Sequence, residues 1–378
     1  MSEGHSVESV LRSCSIVRAF RYDGELLRLR DVVARTSLSK TTVHRLLRSL
    51  EAGGLTKRVG TETWACLVKP VESSRVRIGF ASQTARSSFS QTVSDSIRRA
   101  AAANNVELLA LDNKYSPKIA LRNAEHLIRE RVDAVLEFQT HEDVAALIAA
   151  RFAEANIPLV AIEIPHPGAV FFGANNYQAG LMAGRALGKW AKTMWRGHVA
   201  EVLLLEERIA GPLPALRLTG ALAGIKEAVG ARDVDLPVTS YDARGSFEHA
   251  QHVVRQHLRR TPRQNVLVAA THDPVALGAL RAFEEAGRLQ SCAVASQNAT
   301  REARDELRRP RSRLIGSVAY FPERYGDELI PLTLAIVAGR PTPPAIFVRH
   351  QLVTPANVDQ LYPSDGHLNG FAAGGAGN

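Results

Sequence analysis

The run Asn265-Val266-Leu267-Val268-Ala269-Ala270-Thr271-His272-Asp273-Pro274-Val275-Ala276-Leu277-Gly278-Ala279-Leu280 passes from one element into the next without a break. Its first six residues are short, apolar and partly β-branched, as in a strand covered on both faces. Asp273 suits a helix N-cap, Pro274 suits the first helical turn, and the apolar spacing predicts a helix over 274–286. The same rhythm extends in both directions. Strands are expected at 76–81, 107–111, 132–138, 157–164, 170–173, 198–205, 238–241, 292–295 and 314–319, besides 265–270. Amphipathic helices are expected at 89–104, 119–130, 144–155, 215–229 and 247–259. Strands alternating with helices of about 10–15 residues form parallel, doubly wound sheets. So many strands fit two lobes better than one sheet. The expected class is α/β, with a two-lobed doubly wound body over 76–362.

Residues 1–68 read differently, as helices followed by a hairpin. Val7, Val10, Leu11, Cys14 and Val17 follow the spacing of one helix face. Leu29, Val32 and Val33 begin a short second helix after a turn at Asp23-Gly24. Ser39 caps a third, with Val43, Leu46, Leu47 and Leu50 inward and Gly53-Gly54 stopping it. Strands at 55–59 and 63–67 turn at Gly60-Thr61. The polar, proline-bearing stretch 69–75 reads as a linker, and the Gly/Ala-rich stretch 363–378 as a disordered tail.

The 378 residues suffice for two or three domains. A net charge of +9 excludes an acidic, solvating chain and suits a polyanionic partner. Residues 1–75 hold 13 basic and 8 acidic residues, so the positive excess is densest at the N-terminal end. Three scattered cysteines without a CxxC pair speak against a disulfide framework or a structural zinc site. No apolar stretch reads as a signal peptide or a membrane span, and a cytoplasmic location is expected.

On the third helix, Ser39, Lys40, Thr41, Thr42, His44, Arg45 and Arg48 are all hydrogen-bond donors on or beside the outward face. Such a helix suits the major groove, with Lys57 and Arg58 on the hairpin meeting backbone or minor groove. Residues 7–67, and above all Thr42-Val43-His44-Arg45-Leu46-Leu47, resemble the winged helix-turn-helix of IclR-type transcription regulators. That resemblance implies double-stranded operator DNA as a partner.

Parallel sheets bind ligands at the carboxyl ends of their strands, so two facing lobes make a cleft. Val76-Arg77-Ile78-Gly79-Phe80, Asn156-Ile157-Pro158-Leu159-Val160, Gly173-Ala174-Asn175-Asn176 and His272–Leu280 resemble, in order, segments of type I periplasmic sugar-binding proteins and LacI-type effector domains. The resemblance implies that Phe89 stacks on a ligand ring and that Glu163, Arg217, His272, Asp273 and Asn298 bind a carbohydrate or polyol. Tyr320 would lie near the last hinge crossing. Asn-Asp in that family is His-Asp here, its Gly-Phe-Asp is Ser296-Gln297-Asn298, and Arg86 suits an anionic ligand.

Other constellations carry less. His249, His252 and His257 have the wrong spacing for three metal ligands and read as a solvated face. Gly180, Gly184 and Gly188 read as a face packed on the sheet. Glu206 and Glu207 are adjacent and diverge, so they form no acid/base pair. No nucleophile elbow, Walker loop or strand-linked GxGxxG is present, so neither catalysis, a metal nor a cofactor is expected. The combined expectation is a ligand-controlled transcription regulator acting as a homodimer or higher homo-oligomer, away from membranes. A solute-binding protein of a sugar transport system and an enzyme acting on a sugar are the alternatives.

Overall fold

The computed structural model describes residues 7–20, 24–68, 75–230 and 236–367. The chain divides into two compact units, residues 1–76 with 334–340, and residues 77–333 with 341–378.

In the first unit, α1 (Glu8–Ala19) leads through β1 (Leu26–Arg28) to α2 (Leu29–Thr36) and α3 (Lys40–Ala52), then to β2 (Thr56–Arg58) and β3 (Thr63–Cys66). The three strands form an antiparallel sheet with β3 in the middle. Val43, Leu46, Leu47 and Leu50 face inward as their spacing requires, around Trp64, Ile16 and Phe20. The first helix departs from expectation. Ile16 and Ala19 enter the core, whereas Val7, Val10 and Leu11 are exposed, because only the C-terminal half of α1 meets the other helices. Asp23 and the expected linker at 69–74 lie outside the described residues.

The second unit holds both lobes. The first lobe runs β4 (Arg77–Ser82), α4 (Ser88–Ala103), β5 (Glu107–Asp112), α5 (Pro117–Arg129), β6 (Ala134–Glu137), α6 (Glu142–Glu154), β7 (Leu159–Ile162) and β8 (Val170–Gly173). The second runs α7 (Asn176–Trp195), β9 (Glu201–Glu206), α8 (Pro212–Val229), β10 (Val238–Asp242), α9 (Phe247–Arg260), β11 (Val266–Ala270), α10 (Asp273–Glu285), β12 (Cys292–Asn298), α11 (Arg301–Arg308) and β13 (Leu314–Ala319). After β13 come α12 (Tyr325–Val337), β14 (Ala345–Phe347), β15 (Gln351–Val353) and α13 (Val358–Leu361). The sheets are ordered β14-β8-β7-β6-β4-β5 and β10-β9-β11-β12-β13-β15, parallel throughout except for β15. Strand β14 returns to the first lobe and β15 to the second, so the chain crosses between lobes three times. Neither three-residue strand was expected.

Two further expectations need correction. Gly180, Gly184 and Gly188 do not pack on the sheet. They face α8, where a Cβ on Gly180 would lie 1.9 Å from the Arg217 carbonyl and one on Gly184 2.0 Å from that of Ala221. Gly220 and Gly224 of α8 face back, so the helices meet backbone to backbone. The tail is ordered as far as a short 3-10 helix at Pro363–His367. There Asp365 accepts two hydrogen bonds from Arg304, at 2.6 and 2.8 Å, and Arg304 lies 4.1 Å from the Tyr362 ring centroid. Residues 368–378 lie outside the described set.

Candidate functional site

Helix α3 opens at Ser39, whose Oγ accepts from the Thr42 amide at 3.2 Å. That cap fixes the first turn and sets Lys40, Thr41, His44, Arg45 and Arg48 on the exposed side, with Ser39 exposed and Thr42 half-buried. Lys57 and Arg58 are exposed on the hairpin. Arg58 is partly committed to the hairpin itself. It donates to the Gly60 carbonyl at 3.0 Å and to the Thr61 carbonyl, and lies 5.9 Å from the Trp64 ring centroid. Lys40 Nζ lies 3.9 Å from Glu62 Oε1, the Ser39 hydroxyl pairs with those of Thr41 and Thr42, and His44, Arg45 and Arg48 are exposed.

The second unit holds a cleft of about 690 Å³, open to solvent and walled by both lobes. Strand ends build it. From the first lobe come Arg86, Phe89, Phe138 and Glu163; from the second come Glu207, Arg217, Phe247, His272 and Asn298. Phe89 meets Phe138 and Tyr325 edge-on, at centroid distances of 6.4 and 6.0 Å, which fixes its ring. Arg217, in the second turn of α8, is almost fully buried. It donates to Asn176 Oδ1 at 2.6 Å, to the Thr271 carbonyl at 3.1 Å and to Glu163 Oε2 at 3.4 Å. Its guanidinium lies 5.2 Å from the Tyr320 ring centroid. Glu163 also receives the Tyr325 hydroxyl at 2.5 Å and the Ala174 amide at 3.4 Å. Burial lifts the Glu163 carboxyl above its ordinary range against the pull of Arg217 and these donors. This pair ties the first lobe to the second at the back of the cavity.

Five of the seven expected ligand residues therefore meet: Phe89, Glu163, Arg217, His272 and Asn298 all line the cavity. Asp273 and Tyr320 do not. His272, not Asp273, is the N-cap of α10. The Asp273 carboxylate is wholly buried and accepts from the Ser296 hydroxyl, the Ser317 hydroxyl at 2.6 Å and the Thr300 amide at 2.6 Å. It holds the loop that carries Asn298 and Thr300. Tyr320 stands behind Arg217, its hydroxyl donating to Gln297 Oε1 at 3.0 Å.

Sequence reasoning missed Glu207 and Phe247. Both follow the carboxyl ends of strands, where the ligand side of a parallel sheet lies, and that position was their only signal. Glu207 Oε2 lies 3.3 Å from His272 Nε2. Burial would raise its carboxyl, but His272, Arg217 and His141 hold it below the ordinary value. His257, expected on a solvated face, is buried instead. It bridges the Tyr241 hydroxyl and Glu201 Oε2, each at 3.1 Å, because α9 turns that residue onto the sheet. No metal-holding cluster occurs among the described residues. No helix among them is long and apolar enough to cross a membrane.

Comparison with known proteins agrees with this architecture. The family described as periplasmic binding protein domain matches residues 78–341, and the IclR helix-turn-helix domain matches 9–60. No curated protein matches significantly. Among solved structures, a Bacillus halodurans transporter solute-binding protein with bound myo-inositol is 21% identical, with a TM-score of 0.66 over 78% of this chain and 99% of that one. An Actinobacillus succinogenes periplasmic solute-binding protein with bound D-allose is 17% identical, with a TM-score of 0.66 over 76% of this chain and 100% of that one. An Agrobacterium vitis solute-binding protein with bound allitol is 18% identical, with a TM-score of 0.67 over 76% and 98%.

Proposed function

Because the chain belongs to the periplasmic binding protein domain family over residues 78–341 and carries an IclR helix-turn-helix domain over 9–60, we propose that it is a transcription regulator whose operator affinity is set by a small polyhydroxylated ligand. The observation that carries this reading is one chain holding both an exposed row of donors on a capped helix and a cavity walled by two lobes. Lys40, Thr41, Thr42, His44, Arg45 and Arg48 would read the major groove from the Ser39 cap, while Lys57 and Arg58 on the hairpin would meet the backbone. In the cavity, Phe89 covers the C–H face of a sugar ring. Arg217 offers its remaining hydrogens, and Asn298 and His272 form hydrogen bonds from the second lobe. Related folds crystallised with myo-inositol, D-allose and allitol support a sugar or polyol as the ligand. Operator reading by two copies belongs to this proposal, since paired half-sites multiply specificity.

The test has two arms. The full chain is offered genomic DNA fragments, and bound fragments are sequenced. A panel of sugars and polyols is screened by thermal shift. Enrichment of a common sequence, together with at least one stabilising ligand, is expected. Recovery of fragments at random sinks the DNA-binding half, and product formation from a ligand would make the body an enzyme.

A further inference from the structure

The cavity treats its two least exposed carboxylates unequally. Glu163 is satisfied by the chain, through Tyr325, the Ala174 amide and Arg217. Glu207 is not. Its side chain is 15% exposed, and among the described residues its one ion-pairing partner is His272, at 3.3 Å. The charges of Arg217 and His141 also act on Glu207, but the hydrogen bonds Arg217 makes go to Asn176, Thr271 and Glu163.

The position of Glu207 is built into the backbone. Gly245 has a φ of +64°, and a Cβ there would fall 2.2 Å from Glu207 Oε1 and 3.3 Å from His272 Nε2. A side chain at 245 would therefore both strain the turn and expel the carboxylate from the wall. Two further carboxylates along the cavity, both exposed, are Glu248 and Glu302. Glu248 accepts from the Ser246 hydroxyl at 2.9 Å, and Glu302 from the Ser88 hydroxyl of the other lobe at 3.0 Å. Among the described lining residues, Arg86 and Arg217 are the permanent cations set against Glu163, Glu207, Glu248 and Glu302.

A closed cavity expels water, and a carboxylate stripped of water needs an opposite charge beside it. A neutral polyol donates hydroxyls to Glu207 but adds no charge to the His272, Arg217 and His141 that face it, and a phosphorylated or carboxylated ligand adds to the acidic excess. Resting on the ligand-sensing reading above, we propose that the cavity prefers a polyhydroxylated ligand bearing an ammonium group, an amino sugar or amino cyclitol, with that group against Glu207. The Glu163–Arg217 pair and Phe89 then hold the hydroxylated ring, and the Glu207 wall selects for the amine.

Isothermal titration calorimetry of the full chain at neutral pH tests this with matched sets: glucose, glucosamine, N-acetylglucosamine and glucose 6-phosphate, then myo-inositol and its amino counterpart. In any set that binds, the free amine should bind about tenfold or more tightly than the hydroxyl parent, as a charge-assisted hydrogen bond allows. The N-acetyl and phosphate forms should be weaker still. Glu207→Gln should bring the ratio of amine to parent to about one, whatever its overall affinity. Equal binding of parent and amine in the wild-type chain overturns the proposal, and needs no variant to fold. So does proton uptake on binding the neutral parent that disappears in His272→Asn, since the histidine would then supply the charge. If no member of any set binds while another sugar or polyol of the thermal-shift panel does, the amine preference is overturned and the ligand-sensing reading stands; if nothing in that panel binds either, both fall.

Discussion

Glu137 ends β6 wholly buried. Asn113 Nδ2 donates to its Oε1 at 2.8 Å, and its Oε2 finds no hydrogen-bond partner among the described residues. Burial pushes this carboxyl up to about 8, with the Asn113 bond pulling the other way. The folded chain therefore keeps the proton over a range where the unfolded chain has lost it. Stability from this group is fully present below the ordinary carboxyl range and drains away as pH rises toward about 8. The slope is on the order of 1 kcal/mol per pH unit. Glu137→Gln, which keeps the shape of the protonated acid, should flatten that dependence. Denaturant melts at pH 5, 6, 7 and 8 should show the variant's advantage growing with pH; parallel curves would mean that Glu137 ionises freely. The same scale shows why neighbours in sequence can part company. Glu206 pairs with Arg208 at 2.8 Å, while Glu207 lines the cavity. His272 faces the ligand space, while Asp273 is locked behind it. At the end of β9 successive residues point to opposite sides, and at the start of α10 the cap and the first helical residue diverge; spacing alone does not say which of each pair points inward.

Among elements, the strand–helix alternation was readable because most helices show an apolar face and central strands such as Leu159–Ile162 and Val266–Ala270 are short, fully buried apolar runs. Strands β14 and β15 were not, since three residues are too few to show a period. For α7 the sequence announced a small-residue face but not what covers it. The covering element is α8, and the approach is close enough that Gly184→Ala should displace the Ala221 carbonyl and cost about 1–3 kcal/mol. A lower melting temperature measures that cost, and an unchanged one would show that the helices can separate cheaply. The exposed donors of α3 make a different kind of claim. Removing a cation that neutralises one phosphate lowers the slope of log affinity against log salt by about one. Lys40→Ala combined with Arg45→Ala should weaken operator binding, and binding assays at several salt concentrations would show how much of the weakening comes from phosphates. A shallower slope with the site preference retained assigns both residues to backbone. An unchanged slope with relaxed preference assigns them to bases.

For the whole molecule, the reading requires two binding events to share one free energy. Arg217 and Glu163 are buried together, and removing one partner of such a pair strands the other at a cost of about 3–5 kcal/mol. Arg217→Ala should therefore lower the melting temperature of the free chain and abolish its stabilisation by ligand. A ligand at about 100 times its dissociation constant otherwise adds about 2.7 kcal/mol. The consequence for DNA follows from linkage. If ligand changes operator affinity by some factor, operator DNA must change ligand affinity by the same factor, with coupling energies of about 1–3 kcal/mol typical of such systems. Two titrations on the wild-type chain, operator with and without saturating ligand and ligand with and without saturating operator, should return equal factors. In Arg217→Ala the operator curve should no longer respond to ligand, and in the α3 double variant the thermal shift by ligand should survive. Ligand that binds tightly while both wild-type factors stay at one would leave a receptor and a DNA reader that merely share a chain, and would sink the regulatory reading even with each half working alone.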